Sequence, residues 1–142
     1  MFNGSDDLDD FDGGPGDDQI HGFGEDDFLT GGPGNDYIFG DDGTDFISGD
    51  DGDDFIDVGP GYSNQVVDGG DGNDHIVGGP GGDKWIYGDA GDDVIEGNGG
   101  PDRLRGGDGN DTLDGGPGSD RGLAGAGTDT CISIEHAFFC EK

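Results

Sequence analysis

A chain of 142 residues is long enough for one domain, but 36 glycines and a hydrophobic share of 27% leave little material for an ordinary core. Thirty-five Asp and Glu against five Lys and Arg give a formal net charge of -30, which argues against nucleic acid and anionic membrane surfaces as partners, since both call for clustered cations. Such a composition fits either a disordered chain or one that folds when cations neutralise it, and periodicity decides between them.

The opening Met1-Phe2-Asn3-Gly4-Ser5-Asp6 has neither the basic nor the apolar region of a signal peptide, and no apolar run approaches the ~18 residues of a membrane span. From Gly13 the chain reads in nines. Gly13-Gly14-Pro15-Gly16-Asp17-Asp18-Gln19-Ile20-His21 is one unit, and Gly31 to Phe39, Gly69 to Val77 and Gly106 to Asp114 match it as fully. The sixth place of each unit holds Asp9, Asp18, Asp27, Asp36, Asp45 and Asp54, then Asp74 and Asp83, then Asp93, Asp102, Asp111, Asp120 and Asp129. The eighth place reads Phe11, Ile20, Leu29, Ile38, Ile47, Ile56, Val66, Ile76, Trp85, Ile95, Leu104 and Leu113. Two units break the phase. Val58 to Asp68 is longer than nine, with Ser63-Asn64 where the aspartate is expected. Gly78 to Tyr87 carries one extra residue, expected to bulge the strand near Trp85-Ile86-Tyr87.

Each unit has its own physical logic. Places one to six must turn the chain tightly, and glycine allows positive φ and close backbone approach. Pro15, Pro33, Pro80 and Pro117 at the third place stiffen the turn. Places seven to nine form a three-residue strand with the eighth side chain facing inward. Two units then make one coil of about eighteen residues, so turns stack along two edges. Stacked carboxylates repel unless a cation lies between them.

The tandem G-G-x-G-x-D-x-U-x pattern, with U a large apolar residue, resembles the RTX (hemolysin-type calcium-binding) repeat family over roughly residues 4 to 132. The resemblance implies an all-β fold, a right-handed parallel β-roll of about seven coils with Ca²⁺ between successive turns. It also implies the ligands. One turn gives its second and fourth carbonyls and its aspartate, and the next gives its first and third carbonyls and its own aspartate. On the even edge the side chains would be Asp18, Asp36, Asp54, Asp74, Asp93, Asp111 and Asp129. The carbonyls would come from Gly14 and Gly16, then Gly31, Gly32, Pro33 and Gly34, and then Gly49, Asp50, Asp51 and Gly52. They would continue with Gly69, Gly70, Asp71 and Gly72, then Gly88, Asp89, Ala90 and Gly91, and finally Gly106, Gly107, Asp108 and Gly109.

The odd edge is less regular. It carries Asp9, Asp27 and Asp45, a faulty turn at Asn64, then Asp83, Asp102 and Asp120, with Asp7 and Glu25 at fourth places where glycine is wanted. At most twelve inter-turn sites follow, and about ten ions are expected once the two sites beside Asn64 are set aside. About ten ions would bring the charge of -30 near -10, ordinary for a soluble surface. Folding and calcium binding would then be one event.

The repeats occupy residues 1-132, and residues 133-142 form a C-terminal cap. Cys131 and Cys140 are expected to close it with a disulfide, the alternatives being free thiols or a thiolate metal site. Several outward places are aromatic: Phe28, Tyr37, Phe39, Phe46 and Phe55. They read as cross-strand ladders or as a contact surface for another protein or another copy. Trp85 is assigned to the core, and His21, His75 and His136 to the surface or cap. No nucleophile stands beside a base outside the repeats, so no enzyme is expected. The expected function is a secreted or cell-surface calcium-binding structural or interaction module. The alternatives are the calcium-binding part of a larger secreted enzyme or toxin, and a self-assembling solenoid.

Overall fold

The computed structural model describes residues 1–61 and 65–140; Tyr62, Ser63 and Asn64 lie outside the described residues. Among the described residues sixteen strands, β1 to β16 in chain order, alternate between two parallel sheets of eight. The first holds β1 (Phe2–Ser5), β3 (Gln19–Phe23), β5 (Tyr37–Phe39), β7 (Phe55–Asp57), β9 (His75–Val77), β11 (Val94–Glu96), β13 (Thr112–Asp114) and β15 (Thr130–Ile132). The second holds β2 (Asp10–Asp12), β4 (Phe28–Thr30), β6 (Phe46–Asp51), β8 (Val66–Asp71), β10 (Trp85–Ala90), β12 (Arg103–Asp108), β14 (Arg121–Ala126) and β16 (His136–Phe138). Each strand hydrogen-bonds its counterpart one coil away, giving a β-solenoid of about seven coils.

The register follows the repeat length. Ile20 pairs with Ile38 and Ile38 with Ile56, eighteen residues apart. Ile56 then pairs with Ile76 and Ile76 with Ile95, so the long units are absorbed without a change of facing. That facing matters, because a slip of one residue would turn every core side chain to solvent. The core is two columns of aliphatic side chains between the sheets. Ile20, Ile38, Ile56, Ile76, Ile95 and Leu113 come from one sheet, and Leu29, Ile47, Val67, Ile86 and Leu104 from the other, none more than 3% exposed.

Two eighth-place assignments are thereby corrected. Val67, not Val66, faces the core, and Ile86, not Trp85, which is 40% exposed. Both units contain two adjacent large apolar residues, and the insertions moved the frame by one. No bulge occurs within Trp85-Ile86-Tyr87. The strand runs unbroken in register with both neighbours, and the extra residue is Lys84, ahead of it.

The column narrows at both ends. Phe2 and Phe11 stack at 3.7 Å between ring centroids and pack against the first coil of the core. At the other end the second-sheet column reaches Gly122, where a Cβ would stand 2.7 Å from the Ile134 Cδ1. That glycine admits Ile134 from the last segment. Cys131 ends the first column and is disulfide-bonded to Cys140, with 5.8 Å between Cα atoms. The final strand, β16, pairs in parallel with β14, so the segment after the last aspartate unit prolongs the roll by one strand.

Ile76 sits mid-column at 0% exposure. Ile76→Ala is expected to cost about 2–5 kcal/mol, measured by thermal unfolding of the calcium-loaded protein.

Candidate metal centre

The turns between strands stack as tightly as the strands do. In the even-edge turns the second place lies in the left-handed region, occupied by Gly32, Gly70 and Gly107 but also by Asp50 and Asp89. Asp tolerates that region better than most residues. The fourth place is stricter. Gly52 has φ 145°, and a Cβ there would collide with the Gly34 carbonyl oxygen of the preceding coil. The same collision recurs at Gly72, Gly91 and Gly109, so each fourth-place carbonyl points at the next coil's glycine. Glu25, which departs from the pattern, still adopts φ 68°.

Between these turns run two polar columns with different composition. The outer one, at the fifth place, reads Asp17, Asn35, Asp53, Asn73, Asp92 and Asn110. Each side chain accepts the backbone N–H of its neighbour, at 2.7–3.1 Å. Carboxylate alternates with amide, and Asn73 and Asn110 donate from their side chains to Asp53 and Asp92. Like charges are kept two coils apart.

The inner column, at the sixth place, has no such relief. The backbone N–H groups of Asp18, Asp36, Asp54, Asp74, Asp93 and Asp111 donate to the Oδ1 of the next aspartate at 2.7–3.0 Å, ending on Asp129. On the other edge Asp9 donates to Asp27, Asp27 to Asp45, Asp83 to Asp102 and Asp102 to Asp120. From Asp27 onward every sixth-place aspartate is at most 3% exposed; Asp9 and Asp18 are half-buried.

The other carboxylate oxygen of these buried aspartates has no partner. Oδ2 is buried and unbonded in Asp27, Asp36, Asp45, Asp54, Asp74, Asp93, Asp102, Asp111, Asp120 and Asp129, and so is Oδ1 of Asp83. Each Oδ2 converges with a second oxygen. A Cβ on Gly49 would collide with the Asp54 Oδ2 and with the Gly69 carbonyl oxygen, and Gly31, Gly69, Gly88 and Gly106 show the same pairing along the edge. These carboxylate oxygens without donors, gathered in a buried row beside carbonyls, form a cradle that fits a hard cation. Among the described residues no three His, Cys, Asp or Glu side chains come together as a metal cluster. A calcium site here would draw on two carboxylates and on backbone carbonyls, the mixed oxygen set that Ca²⁺ accepts with six to eight ligands at about 2.3–2.6 Å. The third-place carbonyls of Pro33, Asp51, Asp71, Ala90 and Asp108 already accept an N–H from the preceding coil, and each keeps a second lone pair.

Burial acts on these carboxyls as expected. Desolvation raises Asp45, Asp54, Asp74 and Asp102 from 3.8 to about 7, and Asp83 and Asp93 to about 6. Backbone hydrogen bonds oppose the shift and, in most of them, neighbouring carboxylates add to it. Asp27, Asp36, Asp111 and Asp120 are raised for the same first reason.

Two members of the odd column are not aspartates. Gln65, fully buried, stands in the faulty turn where the sequence pointed to Asn64, which lies outside the described residues. Its Oε1 accepts the Asp45 N–H, and its Nε2 donates to the Gly43 carbonyl at 3.0 Å. In the last segment Glu135 accepts the Asp120 N–H at 2.6 Å, a bond that holds its carboxyl below the ordinary value. Gln65 stands two places before Val67, the inward residue of its strand, and that spacing was the available signal; Glu135 stands two places before Ala137, which pairs in register with Gly122.

The profile of the RTX calcium-binding nonapeptide repeat (four copies) matches residues 3–38, 21–56, 30–64, 61–84, 68–104 and 96–131, which together run from 3 to 131 without a gap. No curated protein matches the chain. Among the described residues no helix is long and apolar enough to cross a membrane.

Without metal, the folded roll holds more protons on these aspartates than the unfolded chain does. Their stabilising contribution is therefore present below pH ~4 and lost as pH rises through 6 to 7. Chelator-treated protein is expected to gain β-signal in circular dichroism on acidification and to lose it between pH about 5 and 7. A β-signal strongest at neutral pH in chelator would contradict this. The chain belongs to the RTX calcium-binding nonapeptide repeat family.

Proposed function

We propose that the chain is a structural or interaction module whose folding is coupled to cooperative Ca²⁺ binding at the sixth-place aspartates. The observation that carries this reading is the row of buried, partnerless Oδ2 atoms beside first-place carbonyls. The even edge, Asp18 to Asp129, takes an ion between each pair of successive turns. The carbonyls are those of Gly14 and Gly16 and of places one to four in the turns beginning at Gly31, Gly49, Gly69, Gly88 and Gly106. The odd edge takes fewer, because Gln65 brings an amide nitrogen to the Gly43 carbonyl and no charge. About ten ions in all follow from that count. Bound calcium supplies the positive charge that stacked carboxylates lack. The chain's own part is to hold Oδ1 on the neighbouring N–H, turn Oδ2 inward and exclude water.

An inward aliphatic residue per nonapeptide is a thin core, so neutralisation rather than hydrophobic burial governs the transition. Calcium-rich, oxidising surroundings suit both the ions and the Cys131–Cys140 bond, which supports reading the module as secreted or cell-surface. Residues 1-132 carry the binding, and 133-142 close the end. An RTX β-roll is a structural calcium-binding module, and we assign the chain no catalysis.

Circular dichroism during a calcium titration of chelator-treated protein, with magnesium as control, tests the coupling. A cooperative transition to β-structure with Ca²⁺ alone is expected, and β-structure that persists in chelator at neutral pH would refute it. Asp74→Asn should raise the calcium midpoint by about tenfold, a loss near 1.4 kcal/mol, while Asp10→Asn, at an exposed outward place of β2, should leave it nearly unchanged. Gln65→Asp should add one or two ions to the stoichiometry read by calorimetry; an unchanged count would remove the amide from its assigned role.

A further inference from the structure

The outer face of the second sheet departs from the acidity of the rest of the molecule. Arg103, Arg105 and Arg121 all point outward from β12 and β14, and Lys84 immediately precedes β10. These are four of the five Lys and Arg in the chain; the fifth, Lys142, lies outside the described residues. Arg103 is paired in register with Arg121, like charge beside like charge, and Arg121 with His136. Such neighbours are unfavourable on their own sheet. Among the described residues the ion pairs are those of Met1, His21 and His75, so no described acidic residue is bridged to an arginine. Arg103 instead lies over the Trp85 ring at 5.4 Å.

The other half of the same face is complementary. Outward from β2, β4, β6 and β8 come Asp10, Asp12 and Asp68, with the stacked and exposed rings of Phe28 and Phe46. Asp10, Asp12 and Asp68 in one half face three arginines in the other, although Asp50, Asp51, Asp71, Asp89 and Asp108 at the strand ends add acidity along one margin. The aromatic half precedes the cationic half along the roll.

We propose that this face pairs with the same face of a second copy, related by a two-fold axis parallel to the strands. That axis reverses the order of the strands, so β4 and β6 of one copy lie over β14 and β12 of the other. Phe28 then meets Arg121, Phe46 meets Arg103, and Asp10 meets His136. The long stems of Arg103 and Arg121 cover the phenyl rings and Arg105 meets Ser48, so no guanidinium faces another guanidinium. A two-fold along the roll axis would instead set arginine on arginine and aspartate on aspartate, so electrostatics selects the first arrangement. The interface is isologous and closes as a dimer.

Its size sets the strength. Eight strands about 4.8 Å apart and three residues wide give a face of roughly 35 by 10 Å. That is below the ~800 Å² per partner of a standard interface, so the dimer is weak and forms at high micromolar to millimolar concentration. The proposal rests on the calcium reading above, because metal-free chains would repel each other.

Sedimentation equilibrium in calcium, over micromolar to millimolar protein, reads the association, and circular dichroism of the same samples reads folding. The Arg103→Glu/Arg121→Glu and Phe28→Lys/Phe46→Lys variants should each self-associate at least about tenfold more weakly. Mixed together, they should recover the dimer, since one contact stays native and the other becomes an attractive charge pair. Folded wild-type protein that stays monomeric throughout would overturn the proposal. So would mixed variants that fail to pair, or a face that binds only a sulfated polysaccharide in an arginine-dependent way. An unfolded chain in calcium would instead refute the calcium reading.

Discussion

Carboxylates stacked one coil apart in a buried column repel each other, and this chain meets that constraint in two ways side by side. In the fifth-place column it dilutes charge, alternating Asp17, Asn35, Asp53 and Asn73 so that an amide separates each pair. In the sixth-place column it keeps every even-edge member an aspartate and leaves one oxygen of each buried carboxyl without a donor. The same backbone hydrogen-bonding pattern serves both columns. Asparagine would therefore satisfy the sixth-place N–H groups as well as aspartate does. The retained charge has a use only where a cation compensates it, and family membership supplies the identity of that cation.

The rest of the architecture follows from holding those columns in register. Glycine at the fourth place lets one turn's carbonyl approach the next turn, as Gly52 does over Gly34. From β5 to β13 the first-sheet strands are only three residues long, since their task is to fix coil spacing and to bury one aliphatic side chain each. Where a unit is too long, the roll places the surplus in the turn or just before the strand and preserves both columns. Lys84 shows this, and so does the unit in which Gln65 substitutes for an aspartate.

Much of this was legible in the sequence because it is periodic. The aspartate phase, the eighteen-residue coil and the Cys131–Cys140 bond follow from spacing and position, and the parallel sheets from the family resemblance that the repeats carry. What was not legible lies where the period fails. Val66-Val67 and Trp85-Ile86 each present two large apolar residues, and an insertion of unknown location leaves the inward one undetermined. Gln65 escaped because an aspartate or asparagine was sought at a fixed count from the unit's start. Counting back two places from the inward valine would have found it. Glu135 escaped because the final turn is short by three residues, with β16 set fifteen residues after β14 instead of eighteen. The fifth-place alternation was present in the sequence, but its meaning depends on knowing that those side chains bond one coil to the next.

The central claim is that the partnerless Oδ2 row is the calcium row. Anomalous diffraction from crystals grown with calcium tests it most directly. The account predicts a line of peaks between successive turns from Asp18 to Asp129, each touching two sixth-place carboxylates, with no peak beside the Gln65 amide. Peaks confined to the exposed fifth-place column, or a folded roll with no ordered ions along the buried row, would contradict it.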